Sequence, residues 1–275
     1  MEGAMTMEPL LTKAVLLDQE QIQPGFFRMI LSVPEVARRA EPGQFVQIRV
    51  NNGLDPLLPR PISLHDIDPL KGTITLLYHS AGKGTRILAT AAAGQELPLW
   101  GPLGKGWKMT EPEENYLPVY VAGGIGIAPL LPLAAAWSRR EEPGILLYGA
   151  RSTGQVMTVE GFKDLGVDVQ VATEDGSLGM TGRVTDLLER SPWGERRPLL
   201  YVCGPKPMLK AVHKMAESKG WACQISLEER MCCGLGACLS CVCKTKAKAA
   251  GKAWTHSKVC TDGPVFWSGE VVWDE

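Results

Sequence analysis

The sequence predicts a mixed fold of three parts: an antiparallel β-barrel, an α/β part with a parallel sheet, and a small cysteine-bearing C-terminal part. Three observations predict it. Short strands separated by turn residues fill the first hundred residues, apolar strands alternate with helices from about residue 117, and the composition shifts to cysteine, glycine and lysine after residue 222. We therefore expect domains at residues 1–104, 105–221 and 222–275, a division that suits a chain of 275 residues.

The barrel is predicted from runs in which apolar and polar residues partly alternate, which is the period of a half-buried strand. Turn residues such as Glu41-Pro42-Gly43 separate these runs. Several short strands at this spacing are typical of an antiparallel barrel or sandwich. The runs are residues 27–33, 44–50 and 73–78.

The α/β part is predicted from short apolar runs that alternate with helical segments. This alternation favours a parallel sheet with crossover helices. The apolar runs are residues 117–122, 144–149, 167–171 and 199–203. The helical segments are residues 130–140, 181–190 and 206–219.

Composition and charge argue against several classes of protein. Apolar residues make up 45% of the chain and charged residues 21%, which is typical of a globular protein. The net charge of −1 gives no electrostatic basis for binding nucleic acid or an anionic membrane. The first residues, MEGAMTMEPL, contain no apolar signal segment, and no run approaches roughly 18 apolar residues, so we expect a cytoplasmic protein.

The cysteines carry the strongest chemical signal. Most of the eight lie within residues 232–244, CCGLGACLSCVCK, and clustered thiols in the cytoplasm more often bind metal than form disulfides. Cys233, Cys238 and Cys241 have the C-x4-C-x2-C spacing of a plant-type 2Fe–2S site, which ends in a distant fourth cysteine, here Cys260. The glycines between them would let the backbone wrap closely around such a cluster.

Other interpretations of the cysteines stay open. A C-x2-C pair also fits zinc, although structural zinc sites usually contain two such pairs. Inert packing and, in a secreted protein, disulfides are further alternatives. The choice of Cys233 over Cys232 depends on the x4 spacing alone, and Cys232 and Cys243 are then spare thiols. Cys203 and Cys223 have apolar surroundings and are expected in the core.

A second signal is Arg60-Pro61-Ile62-Ser63, followed downstream by Gly82-Lys83-Gly84-Thr85 at the start of a predicted helix. Backbone N–H groups, a hydroxyl and a helix N-terminus favour the binding of an anion. An arginine can supply a forked clamp for the same pyrophosphate, so the two motifs together indicate a phosphate-bearing cofactor. Tyr78, just before the glycines, is either a ring that stacks on this cofactor or a core residue.

A third signal is the glycine loop at residues 122–129, AGGIGIAP, which follows a predicted strand and opens a helix, as a dinucleotide-binding loop does. The G-x-G-x-x-G spacing is absent, so the generic fingerprint is not met. CGPKPM at residues 203–208 follows the last apolar strand, at the sheet edge where open α/β sheets bind ligands. Its prolines also suit the first turn of a helix.

Taken in order, the motifs RPIS, GKGT, GPLG, AGGIGIAP and CGPKPM make the chain resemble the ferredoxin-reductase flavoprotein superfamily. With SLEERMCCGLGACLSCVCK and VCTDGPVF added, the chain is similar to the family of electron-transfer subunits of class B dihydroorotate dehydrogenases. The resemblance covers about residues 10–270, and the cysteine segment is its most specific part.

The resemblance implies three sets of binding residues. Those for FAD are Arg60, Pro61, Ile62, Ser63, Leu77, Tyr78, His79, Gly84 and Thr85. Those for the nicotinamide nucleotide, NAD, are Gly123, Gly124, Gly126, Cys203, Gly204 and Pro205. The implied ligands of the 2Fe–2S cluster are Cys233, Cys238, Cys241 and Cys260. One departure is that Ile62 stands where the superfamily has the tyrosine of R-x-Y-S, so one stacking partner of the flavin is lost.

The resemblance also implies a function, in pyrimidine (UMP) biosynthesis. Electrons would leave dihydroorotate through FMN on a separate catalytic subunit, pass through the cluster and FAD, and reduce NAD+, within a heterotetramer of two plus two subunits. No catalytic residue is assigned in this chain, because its four histidines form no triad. NADP stays open as well, since Arg151 and Ser152 follow a predicted strand and suit a 2′-phosphate.

Three other functions stay open from the sequence. The nearest is the small FAD and 2Fe–2S subunit of an NADH-dependent ferredoxin:NADP reductase, whose partner would be a second, large flavoprotein. The others are a zinc-stabilised binding module without a redox role and a free-standing NADH-dependent reductase of diffusible acceptors. Aromatic residues in the tail suit either an apolar contact patch for a partner or packing around the cluster; they are Trp254, Phe266, Trp267 and Trp273.

Overall fold

A computed structural model describes residues 9–51, 53–109, 115–247 and 251–273, and its first part is a closed antiparallel barrel. The strands are β1 (Leu10–Gln23), β2 (Phe26–Ser32), β3 (Phe45–Ile48), β4 (Arg60–Asp68), β5 (Thr73–His79) and β6 (Glu96–Leu103), with short helices α1 (Pro34–Ala37) and α2 (Lys83–Leu88). Their order around the barrel is β1–β2–β5–β4–β3–β6. The predicted runs form β2, β3 and β5, so the predicted barrel is confirmed.

The side chains of β3 alternate between two environments. Val46 and Ile48 belong to the core inside the barrel, together with Leu64 and Ile74. Phe45 belongs to a different apolar cluster, which it shares with residues of the C-terminal part. All four residues of β3 are buried, because the C-terminal part covers the outer face of this strand.

The second part is a parallel sheet flanked by helices, as predicted. Its strands are β7 (Tyr116–Gly123), β8 (Ile145–Ala150), β9 (Asp168–Thr173), β10 (Met180–Thr181), β11 (Arg197–Cys203) and β12 (Ala222–Ser226), and its helices are α3 (Leu131–Ser138), α4 (Val159–Asp164), α5 (Val184–Arg190) and α6 (Lys206–Lys219). The order is β10–β9–β8–β7–β11–β12. Within the described residues, no helix is long and apolar enough to cross a membrane.

The C-terminal part adds a strand to this sheet. β13 (Val242–Lys246) and β14 (Trp254–Lys258) form a hairpin, and β15 (Val265–Trp267) pairs antiparallel with β12, for example Phe266 with Ile225. The strands on either side of the cysteine segment are therefore neighbours in one sheet. The boundary predicted at residue 222 stays a prediction, and in the structure β12 belongs to the parallel sheet.

The glycine loop after β7 is tighter than the predicted helix. Residues Gly124–Leu130 form a 3-10 helix that leads into α3, and Gly124 has a φ of +53°. Pro129 has no N–H to donate to the carbonyl four residues earlier, so a regular α-helix cannot run through this segment. We refer to residues 124–130 as the 3-10 segment.

All four aromatic residues in the tail contact other groups, Trp254 at the surface, where His256 and Lys244 lie against its ring. Phe266 is buried, Trp267 is half-buried, and Trp273 stacks on His213 with ring centroids 5.6 Å apart. Trp254 is 41% exposed. Packing is therefore the main role of these rings, of the two roles that the sequence leaves open.

Trp107 joins the barrel to the sheet. Its buried indole donates Nε1–H to the carbonyl of Pro129 at 3.1 Å and packs edge-on against Tyr201 of β11, with centroids 5.7 Å apart. Its backbone N–H donates to the carbonyl of Pro42, in the loop before β3, at 2.9 Å. One side chain therefore contacts both parts where the 3-10 segment lies.

We expect Trp107→Ala to lower the free energy of unfolding by about 3–5 kcal/mol, because it removes a buried indole and leaves the Pro129 carbonyl without its donor. Thermal unfolding followed by circular dichroism measures the loss. Trp254→Ala is the matched control, with an expected loss of about 1 kcal/mol or less, because that ring is 41% exposed and its contacts with His256 and Lys244 are at the surface. Equal unfolding midpoints in the two variants would contradict the joining role of Trp107.

Candidate functional site

The predicted cluster ligands come together as two pairs of thiols in the segment after β12. Cys233 and Cys238 are in hydrogen-bond contact, and so are Cys241 and Cys260. The pairs are adjacent, since Cys260 also interacts with Cys233. Four cysteines hold the two irons of a 2Fe–2S cluster, so two neighbouring pairs of thiols fit this group. Within the described residues, no three His, Cys, Asp or Glu side chains are grouped around a single point.

The backbone of the loop that follows Cys233 favours this residue as a metal ligand. Gly234 and Gly236 have φ values of +71° and +80°, which glycine adopts without strain, and they turn the chain around the Cys233 sulfur. Burial raises the pKa of this thiol, but three loop N–H groups outweigh burial and lower the pKa to about 7. The donors are Leu235, at 3.4 Å from Sγ, Cys238 and Ala237. Because the thiolate is the form that binds iron, these donors favour metal binding.

Two further thiols lie nearby. The thiol of Cys232 also contacts Cys238, whereas Cys243 lies on β13, where burial raises the pKa of its thiol to about 11. The positions of the two thiols therefore do not decide by themselves whether Cys232 or Cys233 is the cluster ligand. The N–H donors around the Cys233 sulfur favour Cys233, in agreement with the x4 spacing. All eight cysteines lie within the described residues and are free thiols, and Cys203 and Cys223 are buried, as predicted.

A cavity of about 270 Å³ lies where the barrel, the 3-10 segment and the residues before the cysteines meet. We call it the flavin cavity, because most of the residues predicted for FAD are on its wall: Pro61, Ile62, Ser63, Leu77, Tyr78, His79 and Thr85. Ile125, Ala128 and Pro129 of the 3-10 segment form part of the same wall. An open, largely apolar cavity with a few polar groups fits a flavin ring.

Arg60 and Gly84, the other two residues predicted for FAD, touch each other beside this cavity. A side chain at residue 84 would displace the guanidinium of Arg60, so glycine here lets the arginine lie directly against the turn. The N–H of Gly82 donates to Oγ1 of Thr85 at 3.1 Å, which closes the first turn of α2. The arginine and the glycine turn are therefore adjacent, as a clamp on one pyrophosphate requires.

Tyr78 does not present its ring as a stacking surface. The ring is buried, lies over Phe27 with centroids 5.6 Å apart, and its hydroxyl donates to Oε1 of Gln19 at 2.9 Å. These contacts favour the core role of the two that the sequence leaves open. His79 is exposed and stacks on Phe26 at 4.5 Å.

Sequence reasoning assigned no role to several residues that line the flavin cavity, and they come from β3 and from the segment after β12: Phe45, Ser226, Leu227, Glu228, Glu229 and Met231. Glu228 is notable for its charge. Its carboxyl is open to the cavity, yet the surrounding protein desolvates it and raises its pKa. The signal that could have found it is its place just after β12, at the edge where such sheets bind ligands.

A second cavity, of about 410 Å³, lies at the carboxyl ends of β7, β8 and β11, and we call it the nucleotide cavity. Three of the residues predicted for NAD line it: Gly123, Gly124 and Pro205. It is also lined by Arg151, from the pair considered for a 2′-phosphate, and by Glu174 and Arg183, which sequence reasoning missed.

The other three residues predicted for NAD lie just behind this wall. A side chain at Gly126 would collide with the carbonyl of Cys203, and one at Gly204 would lie 2.6 Å from the methyl group of Met208. Burial raises the pKa of the Cys203 thiol. These residues shape the loops by close packing of backbone against backbone.

The 3-10 segment separates the two cavities and forms a wall of each. Gly124 lines the nucleotide cavity, and the next residue, Ile125, lines the flavin cavity. The two cavities therefore approach each other at these neighbouring residues.

The barrel, the adjoining parallel sheet and the two cavities define a flavoprotein reductase of the ferredoxin-reductase type, extended by an iron–sulfur part. Residues 120–214 match the family model of an oxidoreductase NAD-binding domain, and residues 228–272 match the iron–sulfur cluster binding domain of dihydroorotate dehydrogenase B. The chain belongs to the family of electron transfer subunits of dihydroorotate dehydrogenase B (NAD(+)).

Two relatives of that name illustrate the match. The subunit of Bacillus cereus (strain Q1) is 40% identical over 259 residues, which are 94% of this chain and 97% of the relative. The subunit of Bacillus anthracis (strain A0248) is also 40% identical, with the same coverage of 94% and 97%.

Solved structures give the same fold. An NADH-dependent reduced ferredoxin-NADP oxidoreductase structure, described for flavin-based electron bifurcation, has a TM-score of 0.80 and 28% identity and covers 94% of this chain and 90% of that chain. A ferredoxin NADP+ reductase from Neisseria gonorrhoeae with bound FAD and NADP has a TM-score of 0.64 and 18% identity, covers 80% of this chain and 94% of that chain, and shows the fold alone.

We expect Arg60→Ala to weaken FAD binding about ten- to a hundredfold, because one hydrogen-bonding cation is lost from the pyrophosphate clamp, worth about 1.5–3 kcal/mol. Flavin retained after dialysis, measured by absorbance per chain, reports the loss. Arg49→Ala is the matched control, because that side chain bonds only to neighbouring carbonyls, of Asn51 and Gly53. Full flavin occupancy in Arg60→Ala after dialysis would remove Arg60 from the clamp.

Proposed function

We propose that this chain passes electrons from the FMN of a dihydroorotate dehydrogenase catalytic subunit to NAD+, through a 2Fe–2S cluster and FAD, in pyrimidine (UMP) biosynthesis. One observation carries the proposal. The flavin cavity is bounded on one side by the 3-10 segment, which also bounds the nucleotide cavity, and on another by the residues that lead into the cysteine loop. Membership of the family supports the same order of groups.

The proposed order of electron transfer requires FAD between the cluster and the nicotinamide nucleotide. When bound, a flavin exchanges a hydride with a nicotinamide and single electrons with an iron–sulfur cluster. The chain would hold its pyrophosphate with Arg60 and the turn at Gly84, which are in contact. Ile62 and Leu77, both buried, would form an apolar wall that excludes water from the ring.

We propose NAD as the nucleotide, with NADP excluded by charge. The relatives carry NAD(+) in their name. In the nucleotide cavity of this chain, Glu174 lies on the same wall as Arg151 and Arg183. A carboxylate accepts a hydrogen bond from a ribose hydroxyl and repels a 2′-phosphate, whereas the arginines suit the pyrophosphate.

The cluster ligands Cys233, Cys238, Cys241 and Cys260 would place one edge of the cluster toward the partner. Cys238 is exposed, and the side chains on either side of it, Leu235 and Leu239, are 55% and 62% exposed. Exposed leucines around one exposed ligand form an apolar surface of the kind that a partner covers. We propose that the FMN subunit binds here, in a cytoplasmic heterotetramer of two plus two subunits.

A second candidate function is supported by one observation. The NADH-dependent ferredoxin-NADP oxidoreductase structure matches 94% of this chain at a TM-score of 0.80. In that role the chain would bind a second, large flavoprotein. The higher identity, 40% against 28%, favours the dihydroorotate dehydrogenase assembly.

Co-expression with an FMN-containing catalytic subunit tests the proposal. We expect a stable complex that contains FMN, FAD and iron, and that reduces NAD+ when dihydroorotate is added. Failure of the two chains to associate, or an isolated chain that contains zinc and no flavin, would contradict it.

We expect Cys238→Ala to lose the visible absorbance and the iron of the cluster while FAD is retained, because a 2Fe–2S cluster needs all four thiolates. Iron analysis and absorbance of protein purified without oxygen measure both. Cys232→Ala is the matched control, since its thiol also touches Cys238 but is not a proposed ligand. Unchanged iron content in Cys238→Ala, or loss of iron in Cys232→Ala, would show that the proposed set of ligands is wrong.

We expect Glu228 to hold a proton at the wall of the flavin cavity. Desolvation by the surrounding protein raises the pKa of this carboxyl, so it loses its proton at a higher pH than an ordinary glutamate does. As pH rises through this raised pKa, the proton is lost, and the rate of NADH-dependent ferricyanide reduction should fall. Glu228→Gln stays neutral at every pH and should lack this fall, whereas the surface control Glu160→Gln should keep it. A fall of equal size in Glu228→Gln would contradict this role.

A further inference from the structure

Gln47 carries a buried amide that no group among the described residues satisfies. The residue is on β3 and its side chain is fully buried. Neither Oε1 nor Nε2 has a hydrogen-bond partner in the part of the chain that the structure describes. Both amide atoms lack partners, so the observation holds whichever way the amide is turned.

This amide lies between the flavin cavity and the cysteine loop. On one side, Gln47 pairs with Pro61 of β4, which lines the flavin cavity. On the other side it pairs with Trp100 of β6, whose indole Nε1–H donates to the carbonyl of Cys233 at 3.2 Å. A Cβ atom on Gly234, the residue after Cys233, would lie only 2.9 Å from Nε2 of Gln47.

The position of the side chain follows from the alternation along β3. Val46 and Ile48 point into the barrel core, so Gln47 points outward, against the loop that covers this face. An outward residue under an apolar cover would ordinarily be apolar, as Phe45 is. A buried amide without partners is costly, so its place here indicates a partner that arrives with a bound group.

The neighbouring groups decide which bound group this is. The contact of Nε2 is with the loop that holds Cys233, and thiolate and sulfide sulfurs accept hydrogen bonds from nearby N–H groups. On the other side, the register partner of Gln47 is Pro61, which has no N–H and lines the flavin cavity, whereas Gln47 is not among the residues that line it. The amide is therefore nearer to the cluster side of this wall.

We propose that the Nε2–H of Gln47 donates a hydrogen bond to the sulfur atoms at the Cys233 edge of the 2Fe–2S cluster and raises the reduction potential of the cluster. The inference rests on the proposed function and adds to it a role for one residue, Gln47. An N–H donor stabilises the reduced cluster more than the oxidised one, because the reduced form carries one more negative charge. Gln47 thereby favours transfer of an electron onto the cluster.

The test is a redox titration of the full chain, purified without oxygen, with the reduced cluster followed by EPR and the flavin by absorbance. We expect Gln47→Leu to retain iron and FAD and to lower the equilibrium constant for cluster reduction about tenfold, which is about 59 mV for one electron. The potential of FAD should not change. Gln224→Leu is the matched control, because that buried amide is already satisfied by both the N–H and the carbonyl of Lys108.

Each outcome of the titration either supports or overturns the proposal. A lowered cluster potential in Gln47→Leu, absent in Gln224→Leu, supports the proposal. An unchanged or raised cluster potential, with or without a shift of the flavin potential, overturns it, since the amide then serves the flavin, water or packing. Wild-type protein that contains neither cluster nor flavin would instead refute the proposed function.

If Gln47→Leu fails to fold, a measurement on the wild-type protein tests the same proposal. With 15N in the side-chain amides of glutamine, pulsed EPR of the reduced cluster should detect one coupled nitrogen. The same coupling should be lost in Gln47→Met, which keeps the length of the side chain and has no donor. No amide coupling in labelled wild-type protein overturns the proposal.

Discussion

The position of the cysteine loop beside the flavin cavity depends on hydrogen bonds that fix the C-terminal segment across the barrel and along the sheet at the same time. Trp100 of the barrel donates to the carbonyl of Cys233, and the N–H of Lys105, just after the barrel, donates to Gly263 at 2.6 Å. On the sheet side, β15 pairs with β12. Because the segment is held at both surfaces, the cysteine loop has one position relative to the flavin cavity.

Solvent access divides the cysteine loop into two sides. Cys241 and Cys260 are buried against the barrel and the sheet, whereas Cys238 is exposed. Electrons exchanged with the flavin would pass through the dry side, and those exchanged with a partner through the exposed side. The 3-10 segment gives a similar division between flavin and nucleotide, with neighbouring residues facing different cavities. Each transfer thus has its own short path.

Strands and helices with an uninterrupted apolar or alternating pattern could be predicted from the sequence. The runs that form β2, β5, β7 and β11 were found because they alternate or are continuously apolar, and helix α6 was predicted over residues 206–219, where the structure has it. The strands β1, β4 and β6 were missed, since charged residues and prolines interrupt their periodicity. The cysteine spacing is local too, so the two thiol pairs could be anticipated.

Residues whose role depends on distant packing could not be anticipated. Nothing near Gln47 in the sequence shows that β3 is covered on its outer face by a segment almost two hundred residues later. Glu228 lines a cavity built largely by the barrel, and Tyr78 lines the same cavity while its ring packs on Phe27 and its hydroxyl donates to Gln19.

The strand pairing on both sides of the cysteine segment also bears on how the protein matures. β12 enters this segment and β15 leaves it, and the two strands are hydrogen-bonded neighbours. The segment is therefore a closed loop whose two ends are held together by backbone hydrogen bonds, which involve none of the thiols. Replacement of one cysteine should therefore leave the loop anchored to the sheet at both ends, so that loss of a ligand is separated from loss of the fold.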